Sequence, residues 1–225
     1  SEMTVPTDEW ENLGLAAGAE GMLLVGFRNP ELRRYLGMTL AEVAAERETS
    51  AADTVIDLVI EDGSRVQVVY FLMSEENVAR GIALPWVSFA SDARSMTTAG
   101  SFIEQSTHPR AYGNFARVLG KYVREEQIIS LPEAIRKLSK LPASNLKIRD
   151  RGELRESYFA DIVIFDPADI QDHATFDDPH QYATGMAYVI VNGGIVISEG
   201  EHTGALPGQV VRGPGWRGWK DSDTD

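Results

Sequence analysis

No cysteine occurs in the chain, so neither a disulfide nor a thiolate metal site can form; a reducing, cytoplasmic setting is the expectation. Positive charge is scarce: 21 Lys and Arg stand against 34 Asp and Glu, leaving a formal charge of -13. A field of that sign repels phosphate backbones and anionic lipid, which argues against nucleic acid or a membrane surface as partner. Long apolar runs are missing too. "GMLLVGF" and "YVIVNGGIVI" fall well short of the roughly 20 residues of a membrane span. No segment shows the basic, apolar, small-residue order of a signal peptide. Histidine is sparse, with 4 residues and neither His-x-His nor His-Glu-x-x-His, so the usual three protein ligands of a zinc enzyme do not assemble here and no metal ligand is assigned. The glycines follow turn chemistry, without a phosphate-cradling pattern.

What remains is an ordinary globular composition, 43% hydrophobic and 24% charged, in a chain long enough to bury a real core. "GMLLVGF" (21–27) reads as a short buried strand closed by "RNP". "TLAEVAAERETS" opens on Thr39 with Glu42 three residues on, the reciprocal capping-box arrangement. "SAADTVIDLVIEDG" sets Ala52, Val55, Ile56 and Val59 at helical spacing and breaks at Asp62-Gly63. "RVQVVYFLM" (65–73) predicts a strand, "SEENVARGIAL" a helix and "PWVSFASD" a further strand, together a βαβ pattern of the kind that builds parallel sheets. Helices follow in "PRAYGNFARVLGKYVREE", where Phe115, Val118, Leu119 and Tyr122 form a stripe, and in "SLPEAIRKLSKLPASNLKI", capped by Ser130 with Pro132 in its first turn. Near residue 152 the style changes to short strands separated by Asn-Gly and Gly-rich turns.

The stretch "WVSFASDAR" raises the chemical question, because an apolar run stops on the bare carboxylate of Asp92. At the carboxyl end of a strand in a parallel sheet or barrel, such a group lines a site; it equally caps a turn. "THPR" follows at 107–110. Arg110 suits a bidentate clamp on a carboxylate, or a surface ion pair. His108 suits a site or a satisfied loop position. In "FDDPHQY", Asp177, Asp178 and His180 lie close together across Pro179, which reads as a solvated turn, while His173 and His202 are scattered.

Read together, "SDARSM", "HPRAYGNFARVLGKYVRE", "SLPEAIRKLSKLPASNL", "RGELRESYFADIVIFDPADI", "ATFDDPHQYATGMAYVIVNG" and "GEHTGALPGQVVRGPG" resemble the C-terminal part of the N-acyl-D-amino-acid deacylases, or D-aminoacylases, of the metal-dependent amidohydrolase superfamily. The resemblance is dense from about residue 65 onward. It implies an α/β fold: the C-terminal part of a zinc-containing (β/α)8 barrel followed by strands of a small β-sandwich. On that scheme 1–64 form a cap or insert, 65–151 the last strands and helices of the barrel, 152–212 sandwich strands and 213–225 a tail. It implies Asp92 as general base, Arg110 as the clamp on the substrate's free carboxylate, and His108 in support. Ser157 stands where the family usually has glycine.

The family's early His-x-His and its further cysteine and histidine ligands have no counterpart here, and the polar opening "SEMTVPTDEWENLG" reads as the interior of a longer protein. Amide hydrolysis of this kind needs a metal to lower the pKa of water to about 7, so the expectation is a segment inactive alone, acting in the intact enzyme on N-acyl-D-amino acids with zinc. Exposed sheet edges predict self-association or a complementary N-terminal segment. The alternatives are a non-catalytic assembly or binding domain, or one half of a split amidohydrolase.

Overall fold

A computed structural model describes residues 5–6 and 8–216; the first residues of the polar opening and most of the expected tail lie outside them. The chain divides into two compact units, one formed by residues 1–78, 92–114 and 173–182 and the other by 79–91, 115–172 and 183–225.

In the first unit, helix α1 (Leu13–Ala17) precedes strand β1 (Met22–Gly26), every residue of which is buried. That burial explains the uninterrupted apolar run, since both faces and both edges of β1 are covered. One edge pairs antiparallel with β2 (Gln67–Tyr70), with Leu23 opposite Val69. The other edge is closed by the loop before helix α2, through Leu24 N–H to the Met38 carbonyl and Gly37 N–H to the Leu24 carbonyl, both 2.9 Å. Helix α2 (Leu40–Glu46) carries the expected capping box: the Thr39 hydroxyl accepts from the Glu42 amide, and the Glu42 carboxylate accepts from the Thr39 amide. Helix α3 (Ala51–Asp62) starts on Ser50 and stops at left-handed Gly63. Its buried face is set by Thr54, Leu58 and Asp62; the stripe expected from the sequence is only half right, because Val55 packs on the core while Ile56 and Val59 are exposed. Met22, Leu24, Phe27, Leu32, Tyr35, Leu40, Val43 and Leu58 form this unit's main core. The guanidinium groups of Arg34 and Arg47 lie near the Tyr35 ring, 4.7 and 5.0 Å from its centroid, and Arg47 forks onto both oxygens of Glu61 at 2.8 and 2.9 Å.

Two strand expectations are corrected. The run 65–73 is strand only over Gln67–Tyr70, followed by helix α4 (Glu75–Ala83), and "PWVSFASD" forms no strand at all. Trp86 is 69% exposed. A strand exists by virtue of its ladder, and among the described residues no β-ladder includes this run. The βαβ unit is therefore absent: every strand pairing among the described residues is antiparallel.

In the second unit, α5 (Arg110–Arg117), which begins in the first, continues as a wider π-helical stretch, Val118–Glu125. Helix α6 (Leu131–Ile135) is capped by Ser130 and widens over Arg136–Lys140 ahead of α7 (Leu141–Asn145). Pro142 sits where its ring would meet the Leu138 carbonyl of a regular helix, a common cause of such widening. Ala116, Val118, Leu119, Ala134 and Ile170 make the core, with Phe165 and Met186 against it. Fully buried Lys137 donates to the carbonyls of Ile82 and Leu84 at the end of α4 and lies over the Phe89 ring. Burial pulls its pKa below the usual lysine value.

Beyond Asn145 the described chain holds no helix. Strands β3 (Ile162–Phe165), β4 (Met186–Val191), β5 (Gly194–Ser198) and β6 (Glu201–His202) form one antiparallel sheet in that order. The turn joining β4 to β5 is Asn192-Gly193, both at positive φ (49° and 82°), the mirror-image turn whose twist matches its strands. Asn192 also donates its amide to Asp161 and its side-chain nitrogen to the Pro207 carbonyl.

Candidate functional site

Within the first unit, Pro109 supplies a φ already suited to a helix start, and the Arg110 amide is one of the donors a helix end leaves without an internal acceptor. His108 meets that need. Its Nδ1 accepts the Arg110 N–H at 3.0 Å, so the ring is held as the tautomer whose Nδ1 is free of hydrogen. Burial, and then the positive charge of Arg110, lower the His108 pKa below the ordinary imidazole value, which keeps that acceptor available. The ring lies edge-on to Phe176, centroids 5.0 Å apart. Phe176 in turn meets Phe71 edge-on at 4.7 Å and packs on Leu23, Val25 and Val69.

With its amide fixed, Arg110 extends to Asp92, and one guanidinium nitrogen (Nη2) meets carboxylate Oδ2 at 2.8 Å. The side chains are 42% and 86% exposed for Arg110 and Asp92 respectively. Asp92 does not close a strand, contrary to the expectation that a strand end presents it. It stands instead in irregular chain at φ 47°, in the left-handed region that aspartate tolerates better than most residues. The three residues singled out from the sequence are thus brought together: the pair Asp92–Arg110, with His108 behind the arginine. His108 faces the helix start and an aromatic ring.

Tyr112 and Tyr182 were not foreseen. The Tyr112 hydroxyl donates to the Thr97 carbonyl at 2.9 Å, and burial with Tyr182 nearby raises its pKa, so it stays a donor. Tyr182 accepts from the Thr98 amide at 3.3 Å and donates to Thr97 Oγ1 at 3.2 Å. Tyr112 shares the first turn of α5 with Arg110, a local hint; Tyr182 offered none, being 85 positions from Thr97.

Two of the remaining histidines bond to backbone. His180 Nε2 donates to the Phe102 carbonyl at 3.0 Å, and His202 Nδ1 accepts from the Gly204 amide at 2.9 Å. Asp178 closes the expected turn, its amide on Thr175 Oγ1. Among the described residues no three His, Cys, Asp or Glu side chains converge as a metal-binding group, and Asp92 is turned to a guanidinium. These residues do not by themselves fit a zinc centre.

Residues 87–197 match the model of the Amidohydrolase family. The chain is 38% identical over 182 residues to the D-aminoacylase of Alcaligenes xylosoxydans xylosoxydans, a match covering 81% of this chain and 34% of that protein. A crystal structure of D-aminoacylase, which defines a novel subset of amidohydrolases, is similar with a TM-score of 0.74 at 34% identity, over 86% of this chain and 38% of that one. The N-acyl-D-glutamate deacylase from Bordetella bronchiseptica, complexed with zinc and a phosphonate mimic of the reaction tetrahedral intermediate, gives a TM-score of 0.72 at 30% identity, over 89% and 39%. The chain spans about a third of the length of the curated relatives it matches.

Proposed function

Since this chain belongs to the amidohydrolase family, we propose that it is the portion of an N-acyl-D-amino-acid deacylase that holds the substrate's carboxylate and accepts the proton of the attacking water. The observation that carries the reading is the 2.8 Å contact between Arg110 and Asp92. The two residues suited to these roles are thus neighbours inside the matched segment, which supports the reading.

The chemistry follows from the two groups. Arginine presents five donors in a rigid fork, and Asp92 engages one nitrogen, Nη2. The second N–H of Nη2, with Nε or Nη1 beside it, remains as a fork for a substrate carboxylate, which suits an amino acid blocked at nitrogen and free at its carboxyl end. Asp92, as carboxylate, takes a proton from water as it attacks the amide carbonyl and returns it to the departing amine. The products are a carboxylate and a D-amino acid. His108 keeps the arginine in place. The D preference is carried over from the named activities of the relatives.

Zinc, in this reading, is held by residues outside these 225, and the chain alone is inactive. The barrel and sandwich assignments belong to the same proposal: 65–151 as the last barrel elements, 1–64 as a cap, 152–212 as sandwich strands. The similarity to the D-aminoacylase structure supports it, and the antiparallel sheet β3–β6 supports the sandwich part. Exposed Leu154, Val163, Ile164 and Leu206 in the second unit support burial against a complementary segment or a second copy. A cysteine-free chain supports a cytoplasmic setting.

The test is an assay with N-acetyl-D- and N-acetyl-L-amino acids and added zinc. The chain alone should give no turnover. Mixed with the N-terminal portion of the Alcaligenes D-aminoacylase, it should hydrolyse the D isomer, and Arg110→Ala in the mixture should raise KM about 10- to 150-fold. Enzyme-like turnover by the chain alone, or equal use of both isomers by the mixture, overturns the proposal.

A further inference from the structure

The segment between Asp92 and Arg110 is held by a stretch far along the chain, and we propose that residues 173–182 are a positioning clamp for the Asp92–Arg110 pair, with Tyr182 as its anchor. The inference deepens the reading above and depends on it only for what the pair does; the clamp itself is a matter of geometry.

Segment 93–107 contains one short 3-10 turn, Gly100–Glu104, and is otherwise irregular and largely exposed. Ordering such chain costs backbone entropy, so something must hold it. Three side chains of 173–182 do so, in reverse order along the segment. Tyr182 takes Thr97 and Thr98, accepting the Thr98 amide at 3.3 Å and donating to Thr97 Oγ1 at 3.2 Å. His180 takes the Phe102 carbonyl at 3.0 Å. Phe176 takes the His108 ring at 5.0 Å, two residues before Arg110. Tyr112 joins the upper end to α5, bonding to the Thr97 carbonyl at 2.9 Å while its ring stands 5.8 Å from those of both Tyr182 and His180.

The clamp is itself tied. Thr175 and Asp178 close a turn by two bonds, Asp178 N–H to Thr175 Oγ1 at 3.0 Å and Thr175 N–H to the Asp178 carbonyl at 3.1 Å. Gln181 donates to the carbonyls of His173 and Asp178 at 3.0 and 3.1 Å, and Pro179 is buried. Phe176 roots the stretch on Leu23, Val25 and Val69. The far side of the segment is anchored by Gln105, which exchanges bonds with the Phe27 backbone at 2.6 and 2.8 Å. Neither Tyr182 nor Phe176 contacts the Asp92 or Arg110 side chains. They are positioning residues, acting through the loop and through His108.

The test uses the 225-residue chain without substrate, so its outcome is independent of whether the deacylase reading holds. Tyr182→Phe keeps the ring and removes the hydroxyl. Amide hydrogen exchange at 96–99 should accelerate about tenfold, the equivalent of one hydrogen bond of about 1.4 kcal/mol, while the β1–β2 ladder amides stay as they are. The side-chain Nε signal of Arg110 in a nitrogen-15 spectrum should shift or broaden as the ion pair loses its single geometry. Phe176→Leu, which keeps apolar packing but removes the aromatic edge, should accelerate exchange at the Arg110 amide. Unchanged exchange and an unchanged Arg110 signal in both variants overturn the clamp. So does a uniform acceleration that includes the β1–β2 ladder, since that marks a general loss of stability.

Discussion

Replacing Arg110 by alanine separates two roles that the structure keeps distinct in size. As a strut, Arg110 offers little: a single 2.8 Å contact between side chains 42% and 86% exposed. Such pairs are screened by water and are worth about 0.2–1 kcal/mol, or at most about 2–4 °C in Tm for a chain of this length. In the proposed role the same guanidinium would hold a substrate carboxylate by charge-assisted bonds. Losing such a bond costs about 1.5–3 kcal/mol, so KM should rise about 10- to 150-fold. The measurement is calorimetry of the chain beside kinetics of the mixture with the Alcaligenes N-terminal portion, for wild type, Arg110→Ala and Asp92→Asn. Asp92→Asn should likewise leave Tm within about 2–4 °C, yet lower kcat about 10²- to 10⁴-fold, because the amide accepts no proton. Arg110→Lys should fall between wild type and alanine, an ammonium lacking the fork. A Tm drop of 8 °C or more for Arg110→Ala with KM unchanged would refute the reasoning, for Arg110 would then be a structural residue.

Three further outcomes are expected. His108 titrates below its ordinary value when folded, so as pH falls from about 6.5 the unfolded chain takes up a proton the native chain does not; stability is full above about pH 6.5 and declines below it, and His108→Gln should flatten that slope in urea titrations at pH 7 and 5. Lys137→Met leaves the Ile82 and Leu84 carbonyls without their buried donor, at about 1–3 kcal/mol each, and the urea midpoint should fall accordingly. Ser157 sits at φ 68°, where glycine carries no Cβ penalty, and Ser157→Gly should raise stability by about 0.5–1 kcal/mol in the same titration.

The local grammar of the chain was legible because its signals are short-range. Thr39 with Glu42 and Ser130 with the Glu133 amide each satisfy a helix start from within three residues, and Asn192-Gly193 dictates a turn by its own backbone preference. The run at 86–90 misled for the opposite reason. Val87 and Phe89 have strand composition, but a strand is a relation between segments, and composition does not reveal whether a neighbour is present to complete the ladder. The face of α3 misled in a milder way: spacing groups Ile56 and Val59 with Val55, and which flank of an apolar helix meets the core is decided by what packs there.

The site divides along the same line. Asp92, His108 and Arg110 were legible as chemical types within a short stretch, and they do converge. What holds them was not, because Tyr182 reaches Thr97 across 85 positions and Phe176 reaches His108 across a fold that no motif announces. Reactive groups are constrained by what they must do, which restricts them to a few residue types. The side chains that position them need only the right volume and one polar atom at the right place, a requirement many residues meet. A reading of the sequence therefore finds the chemistry before it finds the framework, and the framework is where Tyr182→Phe, altering no charge and no apolar surface, tests whether the geometry of the pair is made locally or imposed from the far end of the chain.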